Sequence, residues 1–211
     1  MVYRISRSIV RLLLRTVFRF RLEGAEHEPP TGPLVIVSNH TSDLDPLVVG
    51  AALRRRVHFM AKVELFRSPL VRWWVTACGA FPVRRGEADR QAWRRAREIL
   101  ERGGALVMFP EGTRGANAHD LRPPEPGAAL LALRTGATIV PVAILGTDAV
   151  LPRGAHRLSR AAIAVRVGLP IHPDGTARGP VRSAVDRGQI DAVGRRFMQV
   201  IADLLHEIEQ E

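Results

Sequence analysis

Short, uncharged apolar runs recur along this chain at Leu34 to Val37, Ala105 to Phe109 and Thr138 to Val142, with helix-like segments between them. Runs of that length suit strands buried on both faces, and strands that alternate with helices build a layered α/β fold around a central sheet. The helical stretches are Pro46 to Leu53, with proline in its first turn, then 69 to 78, then a segment that Asp89 caps and Gly103-Gly104 close after Arg102, and then Gly127 to Arg134. Val57 to Ala61 and Ala161 to Val167 add strands. From Phe18 the period drops to two, with Phe18, Phe20 and Leu22 alternating against Arg19, Arg21 and Glu23, which predicts an edge strand. A Pro/Gly-rich loop is expected from Leu169 to Pro180, and the chain closes in a long helix. Its stripe of Ile190, Val193, Phe197, Ile201, Leu204 and Ile208 predicts packing on the sheet.

At 211 residues and 46% hydrophobic content, the chain has enough apolar surface for one domain, expected over 17–211, with a short appendage at 1–16. The net charge of +10 is carried by arginine, since Lys62 is the only lysine, and it suits nucleic acid, an anionic membrane surface or a phosphorylated substrate. Nucleic acid is disfavoured, because Tyr3 is the only tyrosine to interleave with the basic residues and no helix-turn-helix or zinc spacing is present. The lone Cys78 leaves no disulfide and no cysteine cluster for zinc, and its neighbours Val75, Ala77 and Ala80 read it as a small core residue. No uncharged apolar run reaches the roughly 18 residues of a membrane-crossing helix.

The appendage, Tyr3 to about Thr16, sets Arg4, Arg7, Arg11 and Arg15 on one face with Ser8, and Ile5, Ile9, Leu12 and Leu13 opposite. That division predicts a helix lying in a membrane interface with its arginines among anionic head groups. Its rival is a helix packed on the domain with a solvated basic face. Arg54, Arg55 and Arg56 read as another solvated face, and Trp73 and Trp74 as partly core and partly membrane-facing.

The chemistry centres on Asn39-His40-Thr41-Ser42-Asp43-Leu44-Asp45-Pro46, directly after the first apolar run. One turn of chain brings His40 to Asp45, and a carboxylate that holds an imidazole in one tautomer leaves the other ring nitrogen to take a proton near neutral pH. Asp43 is a competing partner. Three further blocks follow predicted strands, where α/β proteins commonly build their sites. Gly79-Ala80-Phe81-Pro82-Val83-Arg84-Arg85-Gly86 brings two guanidiniums, which bind phosphate through paired hydrogen bonds. Phe109-Pro110-Glu111-Gly112-Thr113-Arg114 presents a carboxylate and an arginine, which a surface salt bridge between Glu111 and Arg114 would explain equally well. Val140-Pro141-Val142 places a proline in a strand, which makes sense at an edge or a substrate channel.

In this order the four blocks resemble the four motifs of the glycerolipid acyltransferase family, above all its bacterial 1-acyl-sn-glycerol-3-phosphate acyltransferases, over about Glu23 to Gly146. The resemblance implies a mixed central sheet flanked by helices. It also implies transfer of a fatty acyl group from acyl-CoA or acyl carrier protein to a hydroxyl of lysophosphatidic acid, at the cytoplasmic face of the cell membrane, with no acyl-enzyme and no cofactor or metal. Within it His40 is the base and Asp45, rather than Asp43, its partner. Arg85 takes the family's arginine position with Arg84 as an extra cation, and Glu111, Gly112, Thr113, Arg114 and Lys62 contact the acceptor. Pro141 shapes the acyl-donor side. One departure stands out: Pro124-Glu125-Pro126-Gly127 puts an acid where many relatives carry a base, with Arg122 as a candidate to compensate. Another lysolipid acceptor, such as lyso-ornithine lipid, and a hydrolase that activates water are the alternatives.

Overall fold

The computed structural model describes residues 1–84, 89–155, 157–173 and 185–211. Arg85, and the part of the predicted loop beyond 173, lie outside the described residues. In chain order the elements are α1 (Val2–Val17), β1 (Phe20–Glu23), β2 (Leu34–Ser38), α2 (Asp45–Ala52), β3 (Val57–Lys62), α3 (Pro69–Ala77) and β4 (Ala80–Val83). They continue with α4 (Arg90–Glu101), β5 (Ala105–Met108), α5 (Gly127–Thr135), β6 (Thr138–Leu145), α6 (Thr147–Val150), β7 (Ile163–Val167) and α7 (Arg187–Glu209). The strands form one mixed seven-stranded sheet in the order β1-β7-β6-β2-β5-β3-β4. From β6 to β4 all neighbours are parallel, whereas β7 runs antiparallel to β6. The strand predicted from Phe18 onward is β1, at one edge.

The apolar run of β2 is wholly buried because both its faces are covered. Leu34 and Ile36 join α1 and α2 on one side, while Val35 and Val37 join α4, α5 and α7 on the other. Asp89 caps α4 by accepting the N–H groups of Gln91 and Ala92, as its position predicts. The stripe of α7 seats Phe197 and Ile201 completely out of solvent. Because β2, β3, β4, β5 and β6 are parallel, their carboxyl ends share one side of the sheet, where the His40 loop after β2, Arg84 after β4 and the Glu111 turn after β5 lie, while Val140-Pro141-Val142 sits within β6.

Three expectations are corrected. Two of the four arginines of α1, Arg7 and Arg11, turn inward, while Arg4 and Arg15 stay exposed. Arg11 donates to the carbonyls of Ala51 (2.5 Å) and Leu53 (3.1 Å), and Arg7 donates to that of Arg54 (2.7 Å). A helix C-terminus presents carbonyls without intrahelical partners and a partial negative charge, so the end of α2 draws the Arg11 guanidinium inward, and Arg7 reaches the next carbonyl past its cap. The apolar face of α1 therefore points away from the domain, with Leu12 62% exposed. Second, Arg55 is not part of a solvated run. Its guanidinium donates to Pro29, Gly32 and Gly103, while the buried Glu28 accepts the backbone N–H groups of Arg54 and Arg55. Third, Pro141 sits in a central strand, not at an edge. Ile139 bonds toward Ile171, so the nitrogen of Pro141 two residues on faces the same side, where the chain after β7 bends between Val167 and Ile171. The missing N–H falls at that break, and Gly168 donates to the proline carbonyl at 2.8 Å.

Of the adjacent pair in α3, Trp73 is outward-facing, and Trp74 is half-buried with its indole N–H on the hydroxyl of Ser6 in α1. Cys78 is half-buried at the end of α3 rather than in the core.

Candidate active site

The loop after β2 carries His40, and α2 begins at Asp45. His40 Nδ1 lies 2.8 Å from Asp45 Oδ2, and both residues are buried, at 4% and 0% exposure. The same oxygen accepts the backbone N–H groups of Thr41 (2.7 Å) and Ser42 (2.9 Å), so the carboxylate also shapes the loop that carries its partner. Oδ1 accepts the hydroxyl of Thr147 at 2.5 Å. Donors on both oxygens suit an ionised carboxylate, which accepts the proton of Nδ1 and leaves Nε2 as the free base. Asp43 is turned elsewhere, to Arg114 Nη1 at 2.6 Å.

The third block closes on the first. Glu111 Oε1 accepts the backbone N–H of His40 at 3.0 Å and Oε2 that of Arg122 at 3.3 Å, while Gly115 donates to the carbonyl of His40 at 2.8 Å. Burial pushes the Glu111 carboxyl above the usual carboxylate range, against the lowering effect of these bonds. The ring of Phe109 stacks on the imidazole, with centroids 4.2 Å apart and planes 23° apart. The alternative reading of a surface salt bridge between Glu111 and Arg114 does not hold: Glu111 goes to backbone N–H groups and Arg114 to Asp43.

A cavity of about 860 Å³ is lined by Phe109 and Glu111, the two residues that touch His40, whereas His40 and Asp45 themselves lie behind that lining. Met60, Trp93 and Met108 contribute to its apolar part, and Arg84 and Arg90 bring guanidiniums beside the carboxyl groups of Asp89, Glu111 and Glu125. Of the predicted substrate-binding residues, Arg84, Glu111, Gly112 and Thr113 line it, while Lys62, Arg114 and Pro141 do not. Lys62 is exposed at the end of β3, opposite Val83, and Pro141 is buried against Gly168. Arg122 lies outside the lining that Glu125 joins, but its backbone N–H bonds Glu111 and its positive charge acts on that carboxyl. The sequence reading missed Arg90, in the first turn of α4, and Thr147. A glycine followed by threonine at the end of a strand was the available signal for the latter.

Asn39 welds the ends of β2 and β6. Its amide donates to the Ile144 carbonyl at 2.8 Å, and its oxygen accepts the Ile144 N–H at 2.9 Å, both buried. This is the step that carries the chain after β6 over to Asp45.

A model of the acyltransferase family matches residues 19–145. A chloroplastic 1-acyl-sn-glycerol-3-phosphate acyltransferase of Arabidopsis thaliana is 31% identical over 159 residues, covering 74% of this chain and 44% of the relative. A lyso-ornithine lipid O-acyltransferase of Pseudomonas aeruginosa is 35% identical over 137 residues, covering 64% of this chain and 51% of the relative. This chain spans about half the length of the curated relatives it matches. The fold is that of the crystal structure of the 1-acyl-sn-glycerophosphate acyltransferase of Thermotoga maritima, with a TM-score of 0.82 over 99% of this chain and 80% of that one, at 23% identity. The matched segment begins before β2 and ends with β6, so it takes in the His40 loop, the Glu111 turn and the strand that leads to Thr147; by that match this chain belongs to the acyltransferase family.

Proposed function

We propose that this protein transfers a fatty acyl group from a thioester, acyl-CoA or acyl carrier protein, to the free hydroxyl of lysophosphatidic acid, giving phosphatidic acid. The observation that carries this reading is the buried 2.8 Å contact of His40 Nδ1 with Asp45, near a cavity whose walls combine apolar side chains with Arg84 and Arg90. As the acceptor oxygen attacks the thioester carbonyl, Nε2 of His40 takes its proton. Asp45 stabilises the imidazolium that forms. Collapse of the tetrahedral intermediate breaks the carbon–sulfur bond, and the imidazolium returns the proton to the departing thiolate. The acceptor oxygen is the nucleophile, so no acyl-enzyme forms. Arg84 and Arg90 supply guanidiniums for an acceptor phosphate, and the apolar wall suits an acyl chain. Purified protein given lysophosphatidic acid and acyl-CoA is expected to release CoA and form a new ester; free fatty acid with no new ester would instead mean hydrolysis.

A second acceptor is favoured by Glu125, which lines the same cavity as Arg84 and Arg90. A head group with both an ammonium and an anionic group, as in lyso-ornithine lipid, meets that mixture of charges better than a phosphate alone. Turnover of lyso-ornithine lipid above that of lysophosphatidic acid, in side-by-side assays with both donor types, would replace the first acceptor with the second.

The work would be done on an anionic membrane surface at the cytoplasmic face. No helix among the described residues is long and apolar enough to cross a membrane. The outward ridge of Ile5, Ile9, Leu12 and Leu13 on α1, next to Leu70 and Trp73 of α3, offers apolar side chains to a bilayer, with Leu70 75% exposed. Arg4 and Arg15 stay exposed on α1 for lipid phosphates. Replacing Leu12 and Leu13 together by aspartate is expected to cut co-flotation with anionic vesicles at least about tenfold while the fold is retained, because two charges enter the proposed contact. Unchanged flotation would remove α1 from the contact.

A further inference from the structure

We infer that Thr147 is a positioning residue for the proton-transfer pair: its hydroxyl occupies the second carboxylate oxygen of Asp45, so that Oδ2 is left aimed at His40. The inference rests on the reading of His40 as the base. Thr147 and Asp45 are both fully buried, and Thr147 Oγ1 to Asp45 Oδ1 is 2.5 Å. Among the described residues Oδ1 has only this donor, whereas Oδ2 has three, from His40, Thr41 and Ser42. An ionised carboxylate has no proton to give, so the direction of the bond is settled and Thr147 donates. Its oxygen is then the acceptor for the hydroxyl of Thr41, 3.2 Å away. The result is a relay from Thr41 to Thr147 to Asp45 that ends at the imidazole.

The backbone is built to deliver this hydroxyl. Asn39 fixes Ile144 at the end of β6, two residues before the chain turns at Gly146 with φ 91°. Thr147 opens α6, and the hydroxyl of Ser42 holds the other end of that short helix through the Leu151 carbonyl at 2.9 Å. A buried Oδ1 without Thr147 would lack a donor, and a carboxylate that is less well solvated there holds the imidazolium on Oδ2 more tightly. The base would then be freed of its proton only at higher pH. The other charged groups around the pair are Glu111, which accepts the His40 N–H, the Arg114–Asp43 ion pair, Arg122 beyond Glu111, and Asp148 next to Thr147. None of these is altered by the change.

The test compares the full chain with Thr147→Val and Thr147→Ser, using lysophosphatidic acid and acyl-CoA across pH, with thermal unfolding as the check on folding. The valine variant is expected to lose about 10- to 100-fold in kcat with little change in KM for the acceptor. Its acid limb of kcat/KM should move upward, because the imidazolium is held more tightly. Serine, which keeps the hydroxyl, should restore both to within about threefold. A structural filler would lower the amount of active protein and leave the limb where it was. A valine variant with wild-type kcat and profile overturns the inference, as does a serine variant that is equally impaired. If the valine variant does not fold, Thr41→Ala reads the same relay one step further out, and an acid limb that stays in place there overturns it. His40→Ala separates the two levels: turnover that survives that change rejects the function reading, whereas its loss beside an unaffected Thr147→Val rejects only the role of Thr147.

Discussion

His40→Ala is expected to reduce the proposed acyl transfer by about 1,000-fold, to the rate at which a bound hydroxyl attacks without a base. A positioned general base is worth roughly 100- to 10,000-fold, and His40 is the only titratable side chain hydrogen-bonded to Asp45 among the described residues. Because His40 is buried and stacked on Phe109, alanine also leaves a void. His40→Asn keeps more of the volume and is the better control for folding. Asp45→Asn should be nearly as damaging, by about 1,000- to 10,000-fold, since an amide can donate to Nδ1 and so move the imidazole proton to Nε2, the wrong tautomer for a base. Steady-state turnover with unfolding curves for all three variants decides the matter. A His40→Asn variant that keeps a tenth or more of wild-type kcat would end the assignment.

Gly146→Val is expected to prevent accumulation of folded protein. A Cβ at this position would come to 2.0 Å from the carbonyl oxygen of Ala162, a backbone atom that cannot rotate aside, and the φ of 91° is itself unfavourable for any other residue. Gly154 is the internal comparison, with φ 82° and nothing within 4 Å of the added atom. Gly154→Ala should therefore cost only the backbone term, about 1–2 kcal/mol, whereas the contact at Gly146 should push the loss above about 4 kcal/mol. Thermal unfolding of Gly146→Ala and Gly154→Ala side by side measures the difference. Equal losses would mean that the chain near Ala162 gives way and that the turn does not need glycine.

Much of the fold was legible in the residues because the relevant signals are local. Apolar runs of strand length gave β2, β5 and β6 within a few residues of their observed ends, and Asp89 and the Gly103-Gly104 pair bracketed α4 as a cap and a stop should. The long α7 followed from period alone. What failed were readings of which way a side chain faces. Arg7, Arg11 and Arg55 carry charge and sit in basic patterns, yet each goes to backbone carbonyls contributed by segments at least 23 residues away. Nothing in the local pattern specifies that demand. Pro141 failed for a related reason: the strand it interrupts is central, and the break in β7 that tolerates it lies beyond residue 167.

The site divides along the same line. Sequence by itself determined that a histidine and a carboxylate share one loop after a buried strand, and that an arginine-bearing block and a Glu-Gly-Thr-Arg block follow other strands, because spacing along the chain controls what one turn can bring together. Only the tertiary structure decided the rest. It put Asp43 on Arg114 and Asp45 on His40, turned Glu111 onto the backbone of His40, and left Glu125 rather than Arg122 facing the cavity. It also brought Thr147 across 102 positions to the remaining oxygen of Asp45. Hydrogen bonds over such separations depend on parallel strands ending on one side of the sheet. That register is a property of the packed chain and of no single stretch within it.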